Sequence, residues 1–278
     1  MPWLTADDPF PELAGRHALG IAARLVQHDS GLHRHPWGQI LYTRSGCISV
    51  TLDTQLCLLP PGRLIWIPAG LPHRARMSRH VDYRSVYLDP AHYPDLPAQV
   101  QILGASELLT AVLERVAQAD LDQDWDQAPG LHLMRLLLHE LELAPRQALF
   151  LPLPADARLR RIPVDVLPPA LNVLASRLGA GQKTISRLFK RDTGLTYQQW
   201  RQQWRLLKAI EQLATGLSVT RVASGLGFAS DSAFIAFFKD QIGVTPGQYI
   251  RQRDDSMEAG GEKRQTGAPT VLRSSTDS

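Results

Sequence analysis

Residues 170–192 read ALNVLASRLGAGQKTISRLFKRD, and this stretch decides the fold of the C-terminal half of the chain. Apolar residues recur at helical spacing on both sides of the break GAG at 179–181. After the break, Ile185, Leu188 and Phe189 share one face. The opposite face is polar and basic, with Gln182, Lys183, Ser186, Arg187, Lys190 and Arg191. Two helices, a glycine-containing turn and a polar second helix predict a helix-turn-helix unit.

The same pattern returns further along the chain. Ser218 and Ser230 each stand before an apolar-periodic segment, as N-cap residues do, and the triplet GFA at 227–229 separates the two segments. Between the two units, Thr196 and Gln199 fit a capping box that begins a long helix. Its apolar stripe consists of Trp200, Trp204, Leu207, Ile210 and Leu213. Because both tryptophans share this stripe, we expect them in the core. Two units on one stiff helix can set their second helices in successive major-groove turns, roughly 34 Å apart.

Together these segments resemble the AraC/XylS family of DNA-binding transcription regulators. The matching segments are 185–190 (ISRLFK), 194–196 (GLT), 222–223 (VA), 226–228 (LGF), Ser230, 233–234 (AF), 237–239 (FFK) and 243–249 (GVTPGQY). The resemblance covers residues 158–252 and implies an all-α, tandem helix-turn-helix domain, which we place at 156–253. It also implies that side chains of the two second helices contact bases or phosphates: Gln182, Lys183, Ser186, Arg187, Lys190, Asp231, Ser232, Ile235 and Lys239.

The two predicted reading helices differ in chemistry. Ile235 and Ala236 lie at reading positions of the second helix, and neither side chain can donate a hydrogen bond to a base. We therefore expect the first unit to carry most of the sequence specificity. Pro163, Pro168 and Pro169 interrupt the segment where the family has a full first helix, so we expect a shortened brace beside the first unit.

Charge is divided unevenly along the chain. Residues 156–253 carry 15 Lys and Arg against 6 Asp and Glu, whereas residues 1–155 carry 12 against 16 and the tail, 254–278, carries 3 against 5. A basic domain suits a polyanionic partner such as double-stranded promoter DNA, although a basic face is also a common solvated surface. The tail is rich in Gly, Ser, Thr and charged residues and has few large apolar groups, so we expect it to be disordered.

Short strands are predicted for the N-terminal third of the chain. Runs rich in β-branched, leucine and aromatic residues alternate with turn signals, at 39–45, 47–52, 56–59, 64–67 and 83–88. Strands at this spacing predict an all-β, cupin-like barrel, which we place at 1–97 as a sensor domain. No stretch approaches the ~18 apolar residues of a membrane span, and residues 1–13 lack a secretory signal pattern. We therefore expect a cytoplasmic protein without membrane contact, in which Cys47 and Cys57 are reduced strand residues.

Two motifs in this region resemble those of the cupin barrels. The matching residues are His33, His35, Gln39 and Gly46 in the first motif, and Gly62, 68–70 (PAG) and His73 in the second. In a strand, His33 and His35 would point to one face, and His73 would complete a set of imidazoles that suits Zn, Ni, Cu or Fe. Gln39 replaces the family's ligating Glu, and Met77 stands where the second motif usually has Asn. The loss of the carboxylate disfavours redox oxygen chemistry.

Three interpretations of His33, His35, Gln39 and His73 stay open: a divalent transition metal or small ligand bound for sensing, a metal-free effector pocket, or structural histidines that fill a narrow barrel. Further cavity-lining candidates are Trp37, Tyr42, Trp66 and Arg76. The favoured function is a transcription regulator, not an enzyme, in which a small-molecule or metal effector in the barrel modulates promoter binding. The alternative is a metal-dependent cupin enzyme with an accessory DNA-binding domain.

Residues 98–155 predict helices and a return strand. Leucine-rich helical patterns cover 106–118 and 131–143, and they fit either a homodimer seam or packing on the barrel of the same chain. The aspartates that alternate between them resemble a calcium loop without its central Gly and terminal Glu, so we expect a solvated loop. The apolar segment 145–154 predicts a strand that returns to the barrel, followed by a linker. As partners we also expect a second copy of the chain and RNA polymerase.

Overall fold

The computed structural model describes residues 3–4, 15–77 and 79–251. The strands are β1 Trp3–Leu4, β2 Ala18–Leu25, β3 Gly38–Thr43, β4 Ile48–Thr51, β5 Gln55–Leu59, β6 Arg63–Ile67, β7 Arg74–Arg76, β8 Val81–Leu88, β9 Gln101–Gly104 and β10 Phe150–Pro152. The helices are α1 Glu107–Ala117, α2 Gly130–Leu143, α3 Leu171–Arg177, α4 Gln182–Thr193, α5 Tyr197–Ala214, α6 Val219–Gly225 and α7 Asp231–Ile242. A 3-10 turn covers Leu159–Arg161, and residues 246–251 are also helical. The predicted disordered tail, 254–278, lies outside the described residues.

The N-terminal strands form two open sheets. The six-stranded sheet has the order β1-β2-β8-β3-β6-β9 and the four-stranded sheet has the order β10-β5-β4-β7. All neighbours are antiparallel except β1 and β2, which are parallel. The sheets include strands beyond residue 97, the predicted end of the barrel. β9 pairs with β6, and β10 pairs with β5.

The six-stranded sheet is buried on both faces. On β3, Ile40 and Tyr42 pack with α1 and α2, whereas Leu41 packs with residues of the other sheet. This alternation follows from side chains that point to opposite faces of a strand. β2 approaches α1 so closely at Gly20 that a Cβ there would lie 1.9 Å from the carbonyl oxygen of Val116. The helices therefore pack on the sheet of their own chain, the second of the two arrangements that their leucine pattern allowed.

The linker between the sheets and the C-terminal domain is held by α5. This linker is rich in proline, and its carbonyls, together with two of the preceding strand β10, accept hydrogen bonds from one helix. The donor and acceptor pairs are Trp200 Nε1 to Pro152 (2.7 Å), Gln203 Nε2 to Phe150, Trp204 Nε1 to Val164 (2.8 Å), Arg201 Nε to Pro168 (2.7 Å) and the Tyr197 hydroxyl to Pro169 (2.7 Å). The core packing expected for both tryptophans is confirmed, since Trp200 is 1% and Trp204 3% exposed.

Within the described ranges, no helix combines the length and the apolar character that crossing a lipid bilayer requires.

Removal of one indole donor from α5 should destabilise the whole chain. Trp204→Phe keeps an aromatic ring in the core but leaves the carbonyl of Val164 without its donor. Loss of one hydrogen bond costs about 0.5–1.5 kcal/mol, so the free energy of unfolding in urea should fall by that amount. Gln198→Ala changes an exposed residue of the same helix and should stay within about 0.5 kcal/mol of the parent. Equal stabilities of the two variants would contradict the role assigned to the indole.

Candidate DNA-reading face and barrel site

The first reading helix, α4, divides cleanly into two faces. Ile185, Leu188 and Phe189 are buried against α3 and α5, as their spacing predicted. The solvent side carries the predicted contact residues, with Gln182, Lys183, Arg187 and Lys190 exposed and Ser186 partly buried. Gly194 ends the helix in the left-handed conformation, with a φ of 72°. The structure thus brings the five first-unit candidates onto one accessible surface, where their contact with DNA stays a prediction.

The second reading helix, α7, presents a less polar surface. Ser230 caps its N-terminus by accepting a hydrogen bond from the backbone N–H of Ala233, and Phe234 and Phe238 are buried. Four side chains of its outer surface are exposed: Ser232, Ile235, Ala236 and Lys239. Only the serine and the lysine can donate hydrogen bonds from this set. The chemical difference between the two predicted reading helices is therefore present on their accessible faces.

Two of the nine candidate side chains also have partners inside the domain. The Thr220 hydroxyl on α6 donates to the carboxylate of Asp231, which ties the two helices of the second unit together. The ammonium of Lys190 donates to the carbonyl of Gly194 at 2.6 Å, at the end of α4 where backbone acceptors lack helical partners. These contacts give Asp231 and Lys190 a positioning role within the domain.

The segment before the first unit is short, as its prolines predicted. A single 3-10 turn, Leu159–Arg161, stands in place of a full helix. The carboxylate of Asp192, at the end of α4, accepts hydrogen bonds from the backbone N–H groups of Ala155 and Asp156, both at 2.9 Å. The linker is thus fixed to α4 by backbone hydrogen bonds.

The second candidate site, called the barrel site below, consists of His33, His35, Gln39 and His73. It is built on a backbone pairing between segments that are distant in the chain. His33 and His73 exchange reciprocal N–H to carbonyl hydrogen bonds of 3.0 and 2.9 Å as an isolated antiparallel bridge. His35 follows in irregular backbone, and its carbonyl accepts from the N–H of Gly70 at 2.8 Å. The expectation that one strand carries both His33 and His35 is therefore wrong, because only His33 lies in a β-bridge. The three imidazoles nevertheless converge, each offering one ring nitrogen within 4.8 Å of the others.

The hydrogen bonds of the three rings define their tautomers. The Nδ1 atom of each ring contacts a backbone carbonyl: Gly31 for His33 (3.1 Å), Trp37 for His35 (2.7 Å) and Leu71 for His73 (2.9 Å). A carbonyl can only accept, so each neutral ring carries its proton on Nδ1 and leaves Nε2 as a lone-pair donor. Backbone carbonyls that orient imidazoles in this way are typical of the outer partners of metal-binding histidines.

The side chain of Gln39 is oriented by hydroxyls of β8. Its amide nitrogen donates to the hydroxyls of Ser85 and Tyr87 at 2.9 and 2.8 Å and lies 3.4 Å from that of Tyr83. The amide oxygen consequently faces the histidines, 3.3 Å from Nε2 of His35. With the proton of His35 on Nδ1, these two facing atoms both carry lone pairs. Ligands about 2.0–2.1 Å from a tetrahedral ion lie roughly 3.3 Å apart, so the separation fits two donors that share a cation.

Burial disfavours the charged forms of two of these imidazoles. It lowers the pKa of His73 to about 4 and also lowers the pKa of His35, in each case because the charged form loses hydration. A neutral imidazole is the form that binds a metal ion. The donor set of three imidazoles and one amide oxygen, without a carboxylate, therefore fits a divalent transition metal such as Zn²⁺ or Ni²⁺.

The hydroxyls around Gln39 were missed at the sequence level. Tyr83, Ser85 and Tyr87 alternate along β8, and this polar period of two is a signal that could have marked one face of the strand. Two cavity candidates were wrong. Trp66 lies in the core beneath α1 and α2, and Tyr42 donates to the carboxylate of Glu114 on α1, because both side chains leave the sheet on its helical face.

Comparisons with known proteins match both halves of the chain. Residues 17–161 match the AraC-like ligand binding domain, and residues 174–252 match a helix-turn-helix domain. The HTH-type transcriptional regulator NimR of Escherichia coli (strain K12) is 30% identical over 239 residues, which cover 84% of this chain and 86% of NimR. The HTH-type transcriptional activator RhaS of Escherichia fergusonii is 34% identical over 93% of this chain and 100% of RhaS. Among solved structures, the DNA-binding domain of AdpA in complex with a target DNA is 32% identical over 31% of this chain and 79% of that chain, with a TM-score of 0.30.

The contrast between the two helices leads to a ranked mutational prediction. Arg187→Ala removes an exposed guanidinium from α4, and loss of a base contact costs about 1–3 kcal/mol, or roughly five- to 150-fold in promoter affinity. Ile235→Ala on α7 should weaken binding less, because the isoleucine makes no hydrogen bond. Fluorescence anisotropy with the promoter DNA beside the gene, at several salt concentrations, measures both effects. Arg135→Ala, an exposed charge on α2, is the matched control. A larger loss for Ile235→Ala than for Arg187→Ala would reverse the ranking.

Proposed function

The chain belongs to the AraC family of transcription regulators, and we propose that the DNA binding of this regulator responds to a divalent transition metal, or to a small molecule that such a metal helps to hold, at the site of His33, His35, Gln39 and His73. The observation that carries the proposal is the convergence of one nitrogen from each of three imidazoles, within 4.8 Å of one another, with the amide oxygen of Gln39 3.3 Å from Nε2 of His35. The regulators among its relatives do not favour the alternative of a metal-dependent cupin enzyme.

A bound cation would act on this chain through its charge and its ligand geometry. It would place a positive charge among the four ligand side chains. It would also remove the repulsion between the lone pairs of His35 Nε2 and Gln39 Oε1. His33 and His73 come from two segments that already pair through backbone hydrogen bonds, and shared coordination would add a side-chain link between them. The proton on each Nδ1 would stay with its carbonyl partner, which keeps the rings oriented.

A short path connects this site to the DNA-binding domain. β7 begins directly after His73, and Arg76 at its end forms an ion pair with Asp165 of the linker at 3.5 Å. The neighbouring carbonyl, that of Val164, accepts from Trp204 on α5. A ligand that favours one placement of the 73–76 segment would bias the linker and, through α5, the relative position of the two reading helices. Such coupling requires that the ligand bind one placement better than the other.

Two further partners are proposed on family grounds. A pair of chains could read two half-sites of a promoter, and α1 and α2 keep the exposed leucines Leu108 and Leu143 for such a contact. RNA polymerase is the second partner, because a regulator acts on transcription through it. We place DNA recognition on α4 and, to a lesser degree, on α7.

Substitutions of Gln39 test the barrel site in both directions. Gln39→Glu adds a carboxylate ligand, and its second oxygen can accept from the hydroxyls of Ser85 and Tyr87, to which the amide nitrogen donates in the parent. Zn²⁺ or Ni²⁺ should therefore bind at least about tenfold more tightly. Gln39→Leu removes the oxygen ligand and should weaken the same binding by a similar factor. Isothermal titration calorimetry gives the affinities, and promoter anisotropy with and without the metal shows whether DNA binding follows.

The control for these variants is His132→Ala, which removes an exposed histidine on α2. The proposal fails if both Gln39 variants bind metal as the parent does, or if promoter affinity stays the same in the presence of bound metal.

A further inference from the structure

A second group of histidines and carboxylates lies at the edge of the six-stranded sheet. His17 precedes β2 and Asp89 follows β8, and the pairing of Ala18 with Leu88 sets the two residues opposite each other. The backbone N–H of Asp89 donates to the carbonyl of His17 at 2.9 Å, which extends the antiparallel ladder by one step. Two residues at the same end of neighbouring strands are therefore held side by side.

A turn after β8 brings in a second imidazole. The carbonyl of Asp89 accepts from the N–H of His92, and its carboxylate accepts from the N–H of Ala91, so the chain folds back on itself. The ring of His92 stacks on that of His17, with 4.0 Å between centroids and 15° between planes. Two imidazoles are thus fixed in contact at one end of the sheet.

The α1–α2 connection supplies the next carboxylate. Asp126 lies with Oδ2 at 3.4 Å from Nε2 of His17 and with Oδ1 at 3.2 Å from Nε2 of His92. Its neighbour Trp125 is buried in the core beneath the helices, which anchors this part of the loop. The α1–α2 connection, which its aspartates predicted to be a solvated loop, therefore contacts the end of the sheet through Trp125 and Asp126.

The group contains a polar atom without a hydrogen-bond partner. Nδ1 of His17 is buried and makes no hydrogen bond, and the nearest carboxylate oxygen, Oδ2 of Asp89, lies 3.7 Å away. Two carboxylates therefore flank the pair of stacked rings, and a positive charge at this point would be favourable.

We propose that His17, His92 and Asp126 form a second binding site for a divalent cation of the Zn²⁺ class. Zinc is bound in proteins by histidine nitrogens and carboxylate oxygens, and donors about 2.0–2.2 Å from one tetrahedral ion lie roughly 3.3–3.5 Å apart. The separations from the two oxygens of Asp126 to the rings, 3.2 Å to His92 and 3.4 Å to His17, are close to that spacing. Binding would require the stacked rings to turn so that both Nε2 atoms face the ion. The carboxylate of Asp126 and the nearby one of Asp89 would offset the charge of the ion.

A bound ion would be accessible from solvent and would link the sheet to its helical layer. A cleft of about 450 Å³ is lined by residues 15–18 and 122–126, so a hydrated cation can reach the ring of His17 from solvent. Arg16 also lines this cleft and is a nearby positive charge. Ligands from the ends of β2 and β8 and from the α1–α2 connection would join the sheet to its helical layer. This site uses none of the residues of the barrel site, so the two proposals stand or fall separately.

Zinc titration of the full chain tests the second site. Equilibrium dialysis with elemental analysis, at neutral pH, counts bound Zn²⁺ in the parent, in His92→Ala and in Asp126→Asn. Each variant should lose one equivalent, or bind it at least about tenfold more weakly. His73→Ala should retain this equivalent, because His73 belongs to the barrel site. His132→Ala is the control for removal of an exposed histidine.

Circular dichroism and thermal unfolding accompany the titration. Zn²⁺ should raise the Tm of the parent and of His73→Ala more than that of Asp126→Asn, since a ligand that binds only the folded state stabilises it. An unchanged zinc count in both His92→Ala and Asp126→Asn, with native circular dichroism, overturns the proposal. A group that binds only protons overturns it too, and would appear as a pH-dependent Tm that Zn²⁺ does not alter.

Discussion

The structure depends on five hydrogen bonds that α5 donates to the proline-rich linker. The acceptors are carbonyls of β10 and of the linker that follows it, so these bonds attach the four-stranded sheet and the linker to the DNA-binding domain. Amphipathic side chains suit this task, because Trp200 and Trp204 fill the core with their rings while their N–H groups point outward to the linker. The same helix also joins the two helix-turn-helix units, so the sensor domain and both reading helices share one rigid element.

A second constraint is the burial of the six-stranded sheet on both faces. One face packs with the other sheet and the opposite face packs with α1 and α2, which requires Gly20 at the closest approach. Polar groups in such a sheet need partners, and the hydroxyls of β8 satisfy the amide of Gln39. Both histidine groups therefore lie where irregular segments meet a sheet that holds their neighbours in place.

The two reading helices have the same architecture and different surfaces. Each is preceded by a tight turn and ends at a left-handed glycine, Gly194 or Gly243, and each buries aromatic residues on its inner face. On the outer face, α4 offers cationic and amide groups, whereas α7 offers Ile235 and Ala236 among few donors. In a domain with this difference, both helices can contribute to DNA affinity, while one helix provides most of the discrimination between bases.

The sequence by itself determined the helical domain, its caps and its buried faces, because helix periodicity and capping act over three or four residues. Thr196, Ser218 and Ser230 cap α5, α6 and α7 where the pattern placed them. It also singled out His33, His35, Gln39 and His73 through motif spacing. Only the tertiary structure decided that the first two lie outside a regular strand, that β8 hydroxyls orient Gln39, and that His17, His92 and Asp126 meet. Those contacts join segments far apart in the chain, and they depend on strand register and loop path, which no local pattern encodes.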